Sequence, residues 1–341
     1  MPPAVTAAIP TYRRVRLLER AVRSVLAQSW PDSRVFVCDN ASDDATAAVL
    51  RDLADRDPRV RFHRHADNLG AYANFQFAVD GVDTPYFSIL SDDDLLLPDF
   101  YRRAVEVLER DRDLGFYATP VVMYDVRRGT HGLFPPGGWR AGRHEAGESV
   151  RLMTEEHFVW TGVVFRREVR DAIGAFVTIP MGDILFLGSA AARFPFFVDP
   201  RPGALFSETG MNASQTLPVG ELRRSATVLA DWVASLPNLG EGDRREVAAI
   251  ADRKLKLVAH GWLRDAAEAG DFERFLAAAD YLERRGDLDA RRARKIAFGR
   301  HGGWRFRSLS AWARLQSGYK RRKSSGFKTR SIDEILAAYG K

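Results

Sequence analysis

Short apolar runs alternate with amphipathic segments over the first hundred residues of the chain. Val5–Ile9 is an apolar run that stops at Pro10 and predicts a buried strand, whereas apolar residues three or four apart between Val15 and Gln28 predict a helix. Read in this way, the strands are residues 5–9, 34–38, 60–63 and 86–90, and the helices are residues 15–28, 44–55, 72–79 and 98–108. This alternation predicts an α/β fold built on a parallel sheet.

Polar segments directly follow three of the predicted strands. They are residues 10–14, 39–44 and 91–94. Because α/β sheets bind ligands outside the carboxyl ends of their strands, these segments are predicted to hold the ligand-binding residues. Ser42 and Asp43 are also candidate caps of the helix over 44–55, and Pro98 is expected in the first turn of the helix over 98–108.

The pattern changes twice further along the chain. Residues 115–214 contain shorter strands and a Gly/Pro-rich loop at 134–142, with a helix predicted over 182–193 and a strand over 194–198. Beyond residue 215 only helical patterns follow, predicted over residues 221–236, 243–269, 272–284 and 289–297. We therefore place a domain boundary near residue 215.

The net charge of +6 is concentrated at the end of the chain. Residues 300–332 hold ten basic residues and no acidic ones, and the last nine residues carry −1, so residues 1–299 carry a charge of −3. The body is mildly acidic, which argues against a nucleic-acid partner. The basic tail also contains aromatic residues, and two interpretations stay open: peripheral contact with an anionic membrane through residues 300–330, or packing on the body.

Composition sets the remaining limits. The hydrophobic fraction of 45% and the charged fraction of 28% are typical of a soluble globular protein. No apolar run approaches the roughly 18–20 residues that span a bilayer, and the N-terminus lacks a signal-peptide pattern. Cys38 is the only cysteine, which excludes intrachain disulfides and Cys-based zinc sites, and it is expected to be packed and inert in a strand. We expect a cytoplasmic protein, with the inner face of the membrane as an alternative.

Three adjacent carboxylates follow the fourth predicted strand, in the sequence Ser91-Asp92-Asp93-Asp94. Neighbouring carboxylates repel one another, and a hard divalent cation such as Mg²⁺ or Mn²⁺ relieves that repulsion. The alternative is an acidic N-terminal cap of the next helix, with Asp94 and Asp99 near its positive end.

The segments after the first two strands offer groups for a nucleotide. Thr11 and Tyr12 supply a hydroxyl and an aromatic face, and Asp39 supplies an acceptor for a base N–H or a ribose hydroxyl. The alternatives are an ordinary strand-to-helix turn at Pro10–Tyr12 and turn formation at 39–44.

Four motifs, in order, resemble the family 2 glycosyltransferases of the GT-A fold. They are residues 8–12 (AIPTY) with 23–29 (RSVLAQS), residues 37–46 (VCDNASDDAT), Asn68-Leu69-Gly70 with Asn74, and residues 91–98 (SDDDLLLP). The resemblance covers about residues 4–215 and is strongest to small spore-coat-type transferases. It implies an α/β, GT-A, Rossmann-like mixed sheet flanked by helices, with a C-terminal helical region. The expected division is residues 1–98 for the nucleotide, 99–215 for the acceptor, a helical region 216–299 and a tail 300–341.

The resemblance also assigns site residues. It implies that the donor nucleotide is bound by Pro10, Thr11, Tyr12, Asp39, Asn68, Ser91 and Asp92. It makes Asp93 the ligand of Mg²⁺ or Mn²⁺, and Asp183, in the segment Met181-Gly182-Asp183-Ile184, the catalytic base. A plain helix cap is the alternative for Asp183. Thr161–Arg166 matches a strand beneath the acceptor pocket, and Trp160 is a sugar platform or core. Glu155-Glu156-His157 either lines that pocket or ends a solvated helix.

The sequence departs from the family pattern at two positions. Ser91 replaces an aspartate that many relatives have, and Glu208 or Thr209 stands where many have a metal-binding histidine. His63, His65, His131 and His144 lack metal-ligand spacing.

The resemblance implies inverting transfer of a sugar from a nucleotide-diphosphate sugar, UDP- or dTDP-linked, to a hydroxyl of a glycan, a lipid-linked or a small-molecule acceptor. Two alternatives stay open: a non-catalytic nucleotide-sugar or glycan-binding module, and a nucleotidyltransferase, although the chain lacks the Gly-rich basic loop expected of the latter. A homodimer interface in the helical region is a further open alternative.

Overall fold

The computed structural model describes most of the chain. The described residues are 3–126, 129–135, 137, 139–176, 179, 181–208 and 220–286, together with residues 296, 298, 302–303, 306–310, 313 and 334. The helix expected over 289–297 and nearly all of the basic tail therefore lie outside the described residues.

The described residues form alternating strands and helices in the first half and helices in the last part. The strands are β1 (Val5–Thr11), β2 (Ser33–Asp39), β3 (Val60–Arg64), β4 (Tyr86–Ile89), β5 (Leu95–Leu96), β6 (Phe116–Ala118), β7 (Val121–Asp125), β8 (Thr130–Phe134), β9 (Gly142–His144), β10 (Val163–Arg166), β11 (Phe196–Val198) and β12 (Ala204–Glu208). The helices are α1 (Val15–Leu26), α2 (Thr46–Arg56), α3 (Ala71–Asp80), α4 (Phe100–Arg110), α5 (Val150–Glu155), α6 (Arg167–Ile173), α7 (Gly182–Arg193), α8 (Gly220–Ser235), α9 (Glu241–Ala269) and α10 (Phe272–Arg284).

The central sheet is mixed. Its strand order is β3-β2-β1-β4-β10-β6-β11-β9. The first four strands run parallel, and β10 pairs antiparallel with both β4 and β6. The parallel half brings the carboxyl ends of β1, β2 and β4 to one edge, which is where the three polar segments begin.

A second, smaller sheet has the order β5-β12-β7-β8. Its strand β5 directly follows the Ser91–Asp94 segment, and β12 pairs with β5 in the register Ala204↔Leu96. This pairing joins Leu95–Leu96, shortly after β4, to β12, the last strand among the described residues.

Helices α8–α10 pack on the sheet rather than standing apart from it. Leu222, Trp232, Val247 and Trp262 belong to the same buried cluster as Phe87 of β4. Burial of apolar surface at roughly 25 cal/mol per Å² makes such a shared core a substantial part of the stability. The helical region therefore sits where its side chains can reach the acceptor half.

The structure confirms the predicted mixed α/β fold, and it corrects local details. Neither Ser42 nor Asp43 caps α2: the Asp44 carboxylate accepts from the backbone N–H of Thr46 (2.9 Å), and Ser42 instead faces Arg13. Pro98 lies before α4, which begins at Phe100. Cys38 is packed in β2 as expected, where burial raises the pKa of its thiol to about 12. Along the described part of the chain, no helix combines the length and apolar composition needed to cross a membrane.

Candidate active site

The turns after β1 and β2 are locked together. Thr11 lies opposite Asp39 in the β1–β2 register, and the backbone N–H of Asn40 donates to the carbonyl of Thr11 (3.0 Å). Arg13 has a positive φ of 55°, and its backbone N–H donates to the Ser42 hydroxyl (2.8 Å). A positive φ is uncommon for a residue with a side chain, so this turn is held by its contacts.

Asp39 presents a buried carboxylate oxygen that has no hydrogen-bond partner. The side chain is fully buried at the end of β2, and its Oδ1 accepts from the backbone N–H of Ser42 (3.0 Å). Its Oδ2 accepts no hydrogen bond within the described part of the chain, although Nε of Arg64 lies 3.5 Å away. Because a buried acceptor without a partner is costly, this oxygen is suited to a ligand N–H.

The other residues predicted to bind the nucleotide differ in their surroundings. Pro10 is buried in β1, while the Tyr12 ring is half-buried with the Arg13 guanidinium 4.9 Å from its centre. Asn68 is exposed, and its side-chain carbonyl accepts from the Asn40 side chain (2.9 Å) and from the backbone N–H of Gly70 (2.8 Å). Asn68 therefore shapes the loop beside Asp39.

Asp92 and Asp93 share one arginine. Nη1 of Arg14 lies 3.2 Å from Oδ1 of Asp92 and 2.8 Å from Oδ2 of Asp93, and the Thr11 hydroxyl donates to Oδ2 of Asp92 (2.7 Å). Burial raises the pKa of Asp92 to about 6, with the Arg14 charge acting in the opposite direction. The two carboxylates thus form a negative site at the end of β4, beside the Thr11 turn.

Asp94 has a different role from its two neighbours. Its side chain is fully buried, with Oδ2 accepting from the Thr161 hydroxyl (2.7 Å) and Oδ1 accepting from the backbone N–H of Ser207 (2.8 Å). These bonds join the end of β4 to the acceptor half at two points. The N-terminal-cap interpretation of Asp94 is therefore wrong.

We expect Asp94→Ala to lower the free energy of unfolding by about 1–3 kcal/mol or more, because two buried donors lose their acceptor. Urea denaturation measures this loss. Asp113→Ala, at an exposed aspartate, is the matched control and should change stability by less than about 0.5 kcal/mol. Equal stability of the two variants would contradict the structural role of Asp94.

The aspartates fit a hard cation in ligand type. Asp92 and Asp93 are 5% and 9% exposed, so a cation reaching them would meet carboxylate oxygens. No cluster of three or more His, Cys, Asp or Glu side chains is arranged around a common point among the described residues. Glu208 ends β12, and Thr209 lies outside the described residues. A cation there would therefore draw further ligands from the donor diphosphate and water.

Asp183 lies in the first turn of α7. Its side chain is about one-third exposed, and its neighbours Ile184 and Leu185 are buried. Nε2 of His157 lies 3.8 Å from its Oδ2. Asp183 is thus a partly exposed carboxylate that is followed in the chain by two buried apolar residues and has the His157 imidazole beside it.

Helix α3 connects the nucleotide half to the segment before α7. The Asn74 side chain donates to the Cys38 carbonyl (2.9 Å) on β2, and the Tyr72 hydroxyl donates to the Ile179 carbonyl (2.9 Å). Both contacts come from the first turn and a half of one rigid helix. Helix α3 therefore contacts both the end of β2, where Asp39 lies, and the segment that precedes Asp183.

Trp160 and Gly162 are explained by packing. The half-buried Trp160 ring stacks on Phe75 of α3, with ring centres 4.9 Å apart. A Cβ on Gly162 would lie 2.7 Å from the Thr119 carbonyl oxygen, so only glycine fits there. Trp160 joins α3 to the acceptor half, and its outer surface remains a candidate sugar platform.

Three site residues were missed at the sequence level. Arg14 is one, and its position three residues after Thr11 in the same turn was the available signal. The others are Arg64, whose Nε lies 3.5 Å from Asp39, and Lys254 of α9, whose charge acts on Asp183. Both approaches depend on contacts between distant parts of the chain. His65 is explained as structural, since its ring bonds to the Asn74 side chain (3.1 Å).

The sequence profile described as Glycosyl transferase family 2 matches residues 6–174. This segment contains the turns after β1, β2 and β4. The chain belongs to glycosyltransferase family 2.

Individual relatives match over shorter segments. A GalNAc(5)-diNAcBac-PP-undecaprenol β-1,3-glucosyltransferase from Campylobacter jejuni is 30% identical over 96 residues, 28% of this chain and 31% of that protein. A chondroitin synthase from Escherichia coli is 32% identical over 112 residues, 33% of this chain and 16% of that protein. The matched segments therefore cover about a third or less of either relative.

Solved structures support the fold over nearly the whole chain. S. aureus TarS 1–349, crystallised in complex with UDP-GlcNAc, superposes with a TM-score of 0.61 at 12% identity, covering 95% of this chain and 93% of that one. The mannosyltransferase PcManGT from Pyrobaculum calidifontis, in complex with GDP-Man and Mn²⁺, gives 0.50 at 17% identity, covering 96% and 87%. At these identities the likeness establishes the predicted GT-A fold.

Proposed function

We propose that this family 2 protein transfers a sugar from a nucleotide-diphosphate sugar to an acceptor hydroxyl with inversion at the anomeric carbon. The observation that carries the proposal is the placement of the Asp39 oxygen and the Asp92–Asp93 pair at the carboxyl ends of adjacent strands. A nucleotide bound along this edge of the sheet would place its base beside the Asp39 oxygen, which can accept a hydrogen bond, and its diphosphate beside Asp92 and Asp93. Asp183 stands on the acceptor side.

The reaction is a single displacement. The acceptor oxygen forms a bond to the anomeric carbon as the bond from that carbon to the diphosphate oxygen breaks, and Asp183 takes the acceptor proton. The leaving group departs as nucleoside diphosphate. The transition state is oxocarbenium-like, as in other glycosyl transfer. General-base assistance of this kind contributes about 10²–10⁴-fold.

A divalent cation, Mg²⁺ or Mn²⁺, is part of the proposal. Asp93 would hold it, with Asp92 beside it, and the bound cation would neutralise charge that develops on the leaving diphosphate. Arg14 contacts both carboxylates and offsets part of their negative charge. The solved structure of PcManGT, a structural neighbour, is a complex with GDP-Man and Mn²⁺.

The donor we favour is UDP- or dTDP-linked. Uracil and thymine carry a ring N–H that could donate to Oδ2 of Asp39, which accepts no hydrogen bond within the described part of the chain, and the half-buried Tyr12 ring offers a face for stacking. TarS, the structural neighbour with the same fold, was crystallised with UDP-GlcNAc and with UDP. Thr11 holds Asp92 rather than pointing outward, so its part in donor binding is to position that carboxylate.

We expect Asp39→Asn to weaken UDP binding about tenfold, because a charge-assisted hydrogen bond to the base is lost. Isothermal titration calorimetry measures the affinity. Asp52→Asn, at an exposed aspartate of α2, serves as the control with unchanged affinity. Full UDP affinity in Asp39→Asn would remove Asp39 from the nucleotide site.

The acceptor is proposed as a glycan or a lipid-linked molecule. The Campylobacter relative is named for an undecaprenol-linked acceptor, and other relatives are chondroitin synthases. A cytoplasmic location at the inner face of the membrane, contact through residues 300–330 and a homodimer stay predictions. Co-sedimentation of the full chain with anionic liposomes tests the membrane contact.

The test of the overall function is a thermal-shift screen of UDP-, dTDP- and GDP-sugars with and without Mn²⁺. We expect stabilisation by a UDP- or dTDP-sugar that increases with Mn²⁺, because ligand binding to the folded state raises its stability. Product analysis of the stabilising donor should show nucleoside diphosphate. Release of inorganic diphosphate would identify a nucleotidyltransferase, and binding without turnover would identify a binding module.

A further inference from the structure

His157 faces the proposed base with one nitrogen and leaves the other without a partner. Its Nε2 lies 3.8 Å from Oδ2 of Asp183. Its Nδ1 is buried and makes no hydrogen bond within the described part of the chain. The Phe134 ring meets the imidazole edge-on, with centres 5.5 Å apart. The ring is thus enclosed on its far side and directed toward Asp183.

The surroundings of the His157 imidazole favour its neutral form. Burial lowers the pKa of His157, and the charge of Lys254 lowers it further, while Asp183 acts in the opposite direction. Lys254 comes from α9, and its own pKa is lowered by burial. A neutral imidazole carries a single N–H, so His157 has one proton to place.

The surroundings decide which nitrogen carries that proton. A buried N–H without an acceptor is among the rarest and costliest defects in a protein interior, whereas a bare ring nitrogen leaves only an acceptor unused. At Nδ1 the proton would have no acceptor, and at Nε2 it points at a carboxylate. We assign the proton to Nε2.

We propose that His157 is a positioning residue for Asp183, whose Nε2–H holds the carboxylate oriented toward the acceptor hydroxyl. The inference rests on the proposed function, in which Asp183 is the base. The distance of 3.8 Å is longer than a hydrogen bond, and catalytic hydrogen bonds often tighten only when the substrates are bound. Asp183 is partly exposed, so its side chain has room to make that movement.

The helical region takes part in this arrangement. Helix α9 rests on α5 through the ion pair of Arg253 with Glu155 and through Arg151 and Glu246, which are 3.5 Å apart. These contacts hold Lys254 where its charge acts on both His157 and Asp183. The titratable and charged groups around the pair are Tyr72, Glu155, Glu156, Glu221, Arg253 and Lys254.

The test compares two substitutions of different chemistry. His157→Leu removes the donor, and we expect kcat to fall about 10- to 100-fold, the cost of losing a hydrogen bond to a charged group, while KM for the donor sugar is unchanged. His157→Gln places an amide N–H at a similar reach, so kcat should stay within about threefold of the unsubstituted protein.

A double-variant cycle separates this inference from the proposed function. If His157 acts only through Asp183, His157→Leu should cause no further loss in an Asp183→Asn background. Full activity of Asp183→Asn would overturn the base assignment and the inference with it. A strong loss in Asp183→Asn with unchanged kcat in His157→Leu would overturn the positioning role alone.

Melting temperatures distinguish a positioning role of His157 from a purely structural one. His63→Leu, at an exposed histidine of β3, is the matched control and should keep full activity. Equal losses of kcat in His157→Leu and His157→Gln, with both melting at lower temperature, would show that His157 only packs. Gln rescue at unchanged melting temperature supports the positioning role.

Discussion

Asp183→Asn is expected to lower kcat by about 10²–10⁴-fold while donor binding survives. The amide keeps the size of the carboxylate but cannot take the acceptor proton, which is the contribution that general-base catalysis makes. Asp183 lies in the first turn of α7, an element different from the Asp39 and Asp92 turns that we assign to the nucleotide. KM for the donor, or the Kd for UDP, should therefore change less than about threefold.

The measurement is release of nucleoside diphosphate under saturating donor, together with calorimetry for donor binding. Asp171→Asn, at an exposed aspartate at the end of α6, is the control and should retain full turnover. Turnover unchanged in Asp183→Asn would remove this residue from the base role. Loss of donor binding together with turnover would instead place Asp183 in the donor site.

The local elements were predictable because their signals are local. Helix α7 has the predicted bounds Gly182–Arg193, since apolar residues flank its single acidic first-turn residue and a Pro-containing segment follows it. Strands β1, β2 and β4 lie within two residues of their predicted ends, because each apolar run stops at a polar segment. The mixed part of the sheet was expected only through the family resemblance.

The contacts of the candidate site were less predictable, because they depend on residues far apart in the chain. Arg14 reaches Asp92 and Asp93 across 78 and 79 residues, through a turn whose geometry depends on the positive φ of Arg13. Asp94 looks equivalent to its neighbours in sequence, yet residues 91–94 form a turn, closed by a hydrogen bond from the Asp94 backbone N–H to the Ser91 carbonyl (3.0 Å), and the Asp94 carboxylate bonds to Thr161 and Ser207.

Arg14 also sharpens the question of the metal. A guanidinium that already bridges two carboxylates provides part of the charge balance that a divalent cation would supply. A guanidinium donates hydrogen bonds but cannot coordinate oxygen ligands. Mg²⁺ and Mn²⁺ can hold several oxygens in one coordination sphere. The cation is therefore expected to enter with the donor, when phosphate oxygens complete its ligands.

Asp93→Ala is expected to lower kcat/KM for the donor by about 10²–10³-fold, on the order of what one preorganised electrostatic contact to developing charge contributes. In the unsubstituted protein, EDTA should abolish turnover, and Mn²⁺ should increase the affinity for UDP in calorimetry. In Asp93→Ala that increase should disappear, because the carboxylate that links the cation to the protein is gone. Asp55→Ala, at an exposed aspartate of α2, should behave as the unsubstituted protein does.

Two outcomes would contradict the metal role of Asp93. One is full turnover of the unsubstituted protein in EDTA, and the other is the same Mn²⁺-dependent gain in UDP affinity with and without Asp93. In either case Arg14, which would lose one of its two carboxylate partners in Asp93→Ala, becomes the group that meets the diphosphate. If Arg14 is the group that meets the diphosphate, Arg14→Met abolishes donor binding in the absence of metal. If the site depends on a metal, Mn²⁺ restores part of the donor binding of Arg14→Met.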